Sequence, residues 1–122
     1  MSTLTSEFPP RPSRDLSGKV AIVTGAGSFG NGLGNGRAIS ILLAEDGCSV
    51  LCVDRDLSLA QRTVEMVREE GKGKAVAMAA DVTSDKDCAE VVAKAVEEFG
   101  RLDILVNNVG ILGAKEIGRA HV

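Results

Sequence analysis

The sequence of 122 residues predicts an α/β fold, a doubly wound parallel sheet with helices on both faces and the strand order 3-2-1-4. Two observations lead to this fold class. Short apolar runs alternate with longer segments in which apolar residues recur every three to four positions, the pattern of successive β-α-β units. The core must also be built from aliphatic side chains, because the chain has three Phe and neither Trp nor Tyr. A chain of this length holds at most one such domain.

The first strand is predicted at residues 20–23, where an apolar run without polar alternation ends in glycines, as in a strand buried on both faces. A helix is expected to begin at about Asn35 and to stop at Gly47, because glycine readily adopts the left-handed conformation that ends helices. The second strand is predicted at residues 49–53 and is followed by Asp54.

The second helix has two candidate N-caps, Asp56 and Ser58. The third strand is predicted at residues 75–80, before Asp81. The third helix has the clearest apolar stripe, which contains Cys88, Val91, Val92, Ala95, Val96 and Phe99. The fourth strand is predicted at residues 104–106. Right-handed crossovers between these strands give the order 3-2-1-4.

Composition argues against several classes of function. A formal net charge of −3 gives no basic surface for nucleic acid or an anionic membrane. The three cysteines form no Cys-x-x-Cys pair, which argues against a zinc site or a disulfide framework and favours a cytoplasmic location. We expect Cys48, Cys52 and Cys88 to be small core side chains. The single histidine, His121, cannot form a metal cluster, and no apolar run is long enough to cross a membrane.

A glycine-rich turn follows the first strand, with six of the 14 glycines between Gly25 and Gly36. Glycine allows a tight turn in which backbone N–H groups approach an anion at the start of a helix. Asp54 follows Gly36 by 18 residues, close to the spacing at which an acidic residue meets the ribose hydroxyls of a dinucleotide. The combination predicts phosphate binding, with a purely structural glycine loop as the alternative. No Lys-Ser or Lys-Thr follows the glycines, which excludes a Walker A loop.

Together these segments resemble the N-terminal half of the short-chain dehydrogenase/reductase family. The resemblance covers about residues 16–113, and its matching segments are Leu16-Ser17-Gly18-Lys19, Thr24-Gly25 with the later Gly34-x-Gly36, Asp54, Asp81-Val82 and Leu102-Asp103-Ile104-Leu105-Val106-Asn107-Asn108-Val109-Gly110. It implies a partial Rossmann fold and an oxidoreductase that moves hydride between a nicotinamide dinucleotide, NAD or NADP, and a small carbonyl or alcohol substrate. It also implies that the parent protein is a homo-oligomer.

Two features depart from the family pattern. The family's glycine-rich turn has the pattern T-G-x-x-x-G-x-G, with three residues between its first and second glycines. In this sequence eight residues separate Gly25 from Gly34. We take Gly34-Asn35-Gly36 as the G-x-G, which leaves an insertion of five residues. The register Gly32-Leu33-Gly34 is the alternative, and it implies a smaller insertion and a helix two residues longer. Val109 stands where the family usually has Ala.

The resemblance assigns cofactor binding to Gly25, Ser28, Gly34, Asn35, Gly36, Asp54, Arg55, Asp81, Val82, Asn108 and Gly110. Asp54 is expected to bind the adenosine ribose and to favour NAD, because a 2′-phosphate would face its carboxylate; its alternative is a turn aspartate. Arg55 could accept that phosphate, so NADP stays open. Asp81 and Val82 correspond to the pair that contacts adenine, with an Asx turn as the structural alternative for Asp81. Asn107 is as readily structural as binding.

The family's catalytic Ser and Tyr-x-x-x-Lys lie downstream of the Asn-Asn-x-Gly segment, and this chain has no Tyr. We therefore expect a fragment that binds the dinucleotide, is inactive alone, and contains no catalytic or metal-binding residue. The predicted divisions are a disordered arm (1–17), an NAD(P)-binding half-domain (18–113) and a non-native tail (114–122), whose last six residues resemble a translated sequencing adaptor. The alternative function is a stand-alone nucleotide-binding module without catalysis. A methyltransferase is disfavoured by the Asn-Asn-Val-Gly segment.

Overall fold

The computed structural model describes residues 15–28, 32, 34–70 and 72–108. Within these ranges strands and helices alternate along the chain: β1 (Val20–Thr24), α1 (Asn35–Glu45), β2 (Ser49–Asp54), α2 (Leu57–Glu70), β3 (Lys74–Ala79), α3 (Asp85–Phe99) and β4 (Ile104–Asn107). The predicted elements are all present, and their ends differ from the predictions by one to a few residues.

The four strands form one parallel sheet in the order β3-β2-β1-β4, which confirms the predicted fold class. The register places Val20 beside Ser49, Ser49 beside Lys74, and Ala21 beside Ile104. Because all strands run in the same direction, their carboxyl ends share one edge of the sheet. The strand order reverses between β1 and β4, and open α/β sheets bind ligands at such a reversal.

Helices cover both faces of the sheet, as predicted. On β1, Ala21 and Val23 join the cluster that includes side chains of α1 and α2, whereas Val20 and Ile22 join the cluster that includes side chains of α3. Every residue of β1 is buried. Burial from both sides explains why this strand is a continuous apolar run rather than an alternating one.

Helix ends follow the local sequence signals. The Asp56 carboxylate accepts a hydrogen bond from the backbone N–H of Ser58 at 3.0 Å, so Asp56 is the cap of α2 among the two candidates. Ser84 caps α3 by accepting from the N–H of Asp87 at 3.3 Å. Gly47 follows α1 with a φ of +95°, the left-handed conformation expected at a helix end.

The apolar stripe of α3 is only partly buried. Val91 and Ala95 are buried, but Val92 and Val96 are 46% and 47% exposed. The buried pair packs against β1 and β2. No described element covers the adjoining side of the helix, and a sequence pattern cannot show how wide a surface the neighbouring elements will cover.

The expectation for the cysteines is confirmed for two of them. Cys48 and Cys52 are buried, and burial raises the pKa of the Cys52 thiol to about 11. Cys88 is exposed, so its assignment to the core was wrong. It lies with Val92 and Leu105 in an open groove between α3 and β4, where only one side of α3 meets the sheet.

Packing at the amino end begins before β1. The backbone N–H of Leu16 donates to the carbonyl oxygen of Asp46 at 2.7 Å, and the Leu16 side chain packs against the core. Residues 1–14 of the predicted arm and the whole predicted tail lie outside the described residues, so the domain divisions stay predictions. No helix in the described ranges is long and apolar enough to span a bilayer.

Candidate functional site

A cleft of about 210 Å³ opens at the carboxyl edge of the sheet. Its lining comes from the ends of β1, β2 and β3 and consists of Gly25, Gly27, Val53, Asp54, Arg55, Ala80, Asp81, Val82 and Thr83. Five predicted binding residues, which are far apart in the sequence, therefore meet in one cleft: Gly25, Asp54, Arg55, Asp81 and Val82. The strand ends bring them together because parallel strands finish at the same edge.

Two glycines allow three elements to meet beside this cleft. Gly25 has a φ of +61°, and a Cβ atom there would overlap the carbonyl oxygen of Asn108 at the end of β4. Gly36 lies in the first turn of α1, and a Cβ atom there would overlap the carbonyl oxygen of Gly25. Only glycine allows this approach of α1 to β1 and β4.

The start of α1 agrees with the preferred glycine register. The helix begins at Asn35, and its N-cap Gly34 has extended backbone angles (φ −72°, ψ 169°). The backbone N–H of Gly34 donates to Ser28 Oγ at 3.2 Å, so Ser28 braces the turn. Gly34 has no side chain to cap the helix, and the first turn has no acidic residue. Both features leave the amino end of α1 suited to an anion.

Asp54 fills the role of a turn aspartate while it lines the cleft. Its Oδ2 accepts the N–H of Gly27 and its Oδ1 accepts the N–H of Asp56, both at 3.0 Å. Each carboxylate oxygen can accept about two hydrogen bonds. The turn alternative and ribose binding are therefore compatible, because the bonds that hold the carboxylate in place leave acceptor capacity on each oxygen.

Asp81 forms the local turn that was its structural alternative. Its Oδ1 accepts from the backbone N–H of Thr83 at 3.0 Å and from the Thr83 hydroxyl at 2.6 Å. These bonds, with a smaller contribution from the Arg55 charge, hold the pKa of Asp81 below its usual range. Two carboxylates, Asp54 and Asp81, thus stand on neighbouring strand ends.

Two asparagines tie the end of β4 to β1: Asn107, its last residue, and Asn108, which follows it. Asn108 donates from its backbone N–H to Thr24 Oγ1 at 3.0 Å and from Nδ2 to the Gly25 carbonyl oxygen at 3.3 Å. Thr24 Oγ1 also lies 3.2 Å from Asn107 Oδ1. These bonds give both asparagines a structural role. Gly110 lies outside the described residues.

A family model described as short chain dehydrogenase matches residues 19–121. The chain belongs to the short-chain dehydrogenase family. It is 42% identical over 101 residues to 11-beta-hydroxysteroid dehydrogenase A of Sesamum indicum, a match that covers 82% of this chain. Among solved structures it resembles a hydroxysteroid dehydrogenase from Escherichia coli, with a TM-score of 0.76 and 33% identity over 89% of this chain and 47% of that one.

A 7 alpha-hydroxysteroid dehydrogenase solved with NADH and 7-oxo glycochenodeoxycholic acid also matches, with a TM-score of 0.71 and 36% identity over 78% of this chain and 35% of that one. The chain spans only part of such proteins, for example 27% of the Sesamum indicum enzyme and 38% of cyclohexanol dehydrogenase from Acinetobacter.

Two buried polar residues of this short-chain dehydrogenase chain were not predicted as part of the site. Arg37, in the first turn of α1, and Thr63, on α2, are both fully buried. Arg37 Nε donates to Thr63 Oγ1 at 2.8 Å, and the Thr63 hydroxyl donates to the carbonyl oxygen of Ala26 at 2.8 Å. The sequence contained one signal for Arg37. A cation in the first turn of a helix opposes the helix dipole, so an arginine at this position indicates that other groups hold it there.

In the described part of the chain no group of three or more His, Cys, Asp or Glu side chains is placed to hold an ion. The acidic groups of the cleft instead bond backbone N–H groups and a hydroxyl, which are the partners that hold them in place.

Proposed function

We propose that this chain supplies the dinucleotide-binding part of an NAD(P)-dependent oxidoreductase that moves hydride between the nicotinamide and a carbonyl or alcohol. The short-chain dehydrogenase family uses NAD(P). When bound, the dinucleotide supplies the hydride-transfer chemistry, and the protein supplies binding and orientation. The described residues therefore bind the adenosine and the pyrophosphate of the dinucleotide.

The cleft at the ends of β1, β2 and β3 carries this proposal. Asp54 offers carboxylate acceptors suited to the 2′- and 3′-hydroxyls of ribose, and it is fixed by the N–H groups of Gly27 and Asp56. Val82 lines the same cleft beside Asp81 and offers apolar surface to a base. The volume, about 210 Å³, suits part of a dinucleotide, since pockets for whole ligands of that size usually exceed about 300 Å³.

The pyrophosphate is proposed to bind at the glycine turn and the amino end of α1. This helix begins at Asn35, with Gly34 as its N-cap and Gly36 in its first turn. The turn contacts the helix at Gly25, whose carbonyl oxygen lies against Gly36. Backbone N–H groups at a helix start attract anions through both hydrogen bonding and the helix dipole. The adenosine cleft adjoins this turn, because Gly25 and Gly27 belong to both.

We propose that the chain prefers NAD to NADP. The Asp54 carboxylate would repel a 2′-phosphate, and its two backbone bonds keep it from turning away. Arg55 is exposed, and its charge acts on Asp81. Binding a 2′-phosphate would require Arg55 to outweigh the nearby Asp54 carboxylate, which we consider the less favourable arrangement.

Titration of the 122-residue chain with NADH and with NADPH tests both proposals. The emission of the reduced nicotinamide reports binding without protein background, because the chain has no Trp or Tyr. We expect tighter binding of NADH. Asp54→Asn should weaken NADH binding about tenfold to a hundredfold, because charge-assisted bonds to the ribose are lost, and should weaken NADPH binding less.

Asp85→Asn is the matched control, because Asp85 is exposed in the first turn of α3 and does not line the cleft. It should leave both affinities unchanged. Tighter binding of NADPH, lost in Arg55→Ala, would overturn the preference for NAD. Absence of binding of either nucleotide to the folded chain would overturn the site itself.

The chain alone should bind without catalysing. It has no Tyr and so cannot supply the family's Tyr-x-x-x-Lys, and we expect no change in the absorbance of reduced nicotinamide when carbonyl compounds are added. The same lack of Tyr supports a second candidate function, a nucleotide-binding module without catalysis. A longer reading frame that contains the Ser and the Tyr-x-x-x-Lys would decide for the oxidoreductase, and one without them would decide for the module.

A further inference from the structure

We propose that Arg37 is a positioning residue that, with Thr63, fixes the pyrophosphate-binding turn against α2 and so sets the affinity for the phosphates of the dinucleotide. The proposal rests on the dinucleotide-binding function proposed above. It assigns a binding role to two buried residues that do not line the adenosine cleft.

The guanidinium of Arg37 bonds the turn at two places. Nη1 donates to the carbonyl oxygen of Gly32 at 2.7 Å, and Nη2 donates to the carbonyl oxygen of Ser28 at 3.0 Å. Ser28 and Gly32 stand on either side of residues 29–31 in a turn five residues longer than the family pattern. One rigid planar group therefore bonds the backbone on both sides of residues 29–31.

The same guanidinium is anchored to α2. Nη2 also donates to the carbonyl oxygen of Leu59 at 3.1 Å, and Nε donates to the Thr63 hydroxyl at 2.8 Å. Thr63 then donates to the carbonyl oxygen of Ala26 at 2.8 Å, one residue after Gly25. The turn is thus tied to α2 directly through Thr63 and indirectly through Arg37.

These bonds matter for an anion in two ways. Contacts that hold Ser28 and Gly32 in place before an anion binds reduce the conformational entropy that binding would cost. Carbonyl oxygens that accept from Arg37 are also engaged by a cation, which offsets the repulsion that their partial negative charge would exert on a phosphate. The positive charge in the first turn of α1 opposes the helix dipole, and a bound anion relieves that cost.

The expected signature is selective. Loss of the bonds made by Arg37 and Thr63 should weaken the binding of ligands that contain the pyrophosphate. Adenosine, which has no phosphate, should bind as before. The Asp54 carboxylate that would hold the ribose is fixed by backbone groups of Gly27 and Asp56 rather than by Arg37. A general loss of folding would instead weaken both ligands.

The experiment compares Thr63→Val with Thr63→Ser in the 122-residue chain, with NADH binding followed by fluorescence and adenosine binding followed by NMR titration. Valine keeps the shape of Thr63 and removes the hydroxyl that both accepts from Arg37 and donates to Ala26. We expect Thr63→Val to weaken NADH binding about tenfold or more, because buried groups lose their partners. Thr63→Ser should retain affinity, and neither variant should alter adenosine binding.

Arg37→Lys provides the second test, because lysine keeps a positive charge but lacks the planar fork. We expect a loss of NADH affinity of about tenfold to a hundredfold with adenosine binding retained. In the double variant with Thr63→Val the losses should be less than additive, because both changes break the bond between Arg37 and Thr63. Retained adenosine binding shows that each variant is folded.

Two results would separate the proposals. If the wild-type chain binds neither NADH nor adenosine, the proposed function fails and the role of Arg37 falls with it. If the wild-type chain binds both, but Thr63→Val weakens them equally or leaves NADH affinity unchanged, the positioning role is wrong while dinucleotide binding stands.

Discussion

The contact between α1 and β1 at Gly36 gives the sharpest stability prediction, because a single methyl group tests it. Gly36 is buried, and in Gly36→Ala the new Cβ would overlap the carbonyl oxygen of Gly25 and lie 2.8 Å from Nδ2 of Asn108. The Gly25 oxygen belongs to the backbone and cannot rotate away. The helix must therefore move outward, which disturbs the turn on which α1 begins.

The magnitude is a balance of opposing contributions. Ala stabilises a helix interior by about 1 kcal/mol relative to Gly. Overpacking of a close contact costs about 1–3 kcal/mol, and disturbing the bond from Asn108 Nδ2 to the Gly25 carbonyl oxygen costs about 1 kcal/mol more. We expect a net loss of about 1–3 kcal/mol. Each kcal/mol should lower the Tm by about 4–8 °C in a domain of 60–100 residues.

Thermal unfolding followed by circular dichroism measures this loss, with NADH titration as the second readout. Gly100→Ala is the matched control, because Gly100 has a φ of +84° and open space around it. It should cost about 1–2 kcal/mol through backbone conformation alone and leave NADH affinity unchanged. Gly36→Ala should lower both the Tm and the NADH affinity.

A Gly36→Ala variant that melts at or above the wild-type temperature would refute the reasoning, because the helix-propensity gain would then exceed the cost of the contact. Unchanged NADH affinity in a destabilised Gly36→Ala variant would argue against Gly34-Asn35-Gly36 as the phosphate-binding register.

Three further predictions concern surface packing, pH and thiol reactivity. Val92 is 46% exposed, so Val92→Lys should reduce self-association, measured by light scattering, with little change in Tm. Val91 is 4% exposed, so Val91→Lys should instead unfold the chain. Hydrogen bonds from Arg101 and from the backbone hold the pKa of Asp103 below its usual 3.8. The ionised Asp103 therefore stabilises the fold above about pH 3.8, and this stabilisation is lost as the pH falls through the lowered pKa. Asp103→Asn should flatten the dependence of Tm on pH below about pH 4, and an unchanged slope would contradict this. Alkylation read by mass spectrometry should modify Cys88 first in the native chain and reach Cys52 only on unfolding.

The sequence by itself determined the order of elements, the parallel sheet and the position of the glycine turn. These features follow from local rules. A buried parallel strand needs a continuous apolar run, as at Val20–Thr24, and a helix end favours a left-handed glycine, as at Gly47. Right-handed crossovers then allow few strand orders. The placement of Asp54 and Asp81 in one cleft was predictable for the same reason, because both follow parallel strands.

Only the tertiary structure decided which polar groups support the turn and which apolar groups stay exposed. The bond between Arg37 and Thr63 joins residues 26 positions apart, and no local periodicity encodes the partner of a side chain. Val92 and Val91 are equally apolar neighbours, yet one is exposed and the other buried. Burial depends on which other elements pack nearby, so it is a property of the assembled fold, whereas strand and helix patterns are properties of the chain.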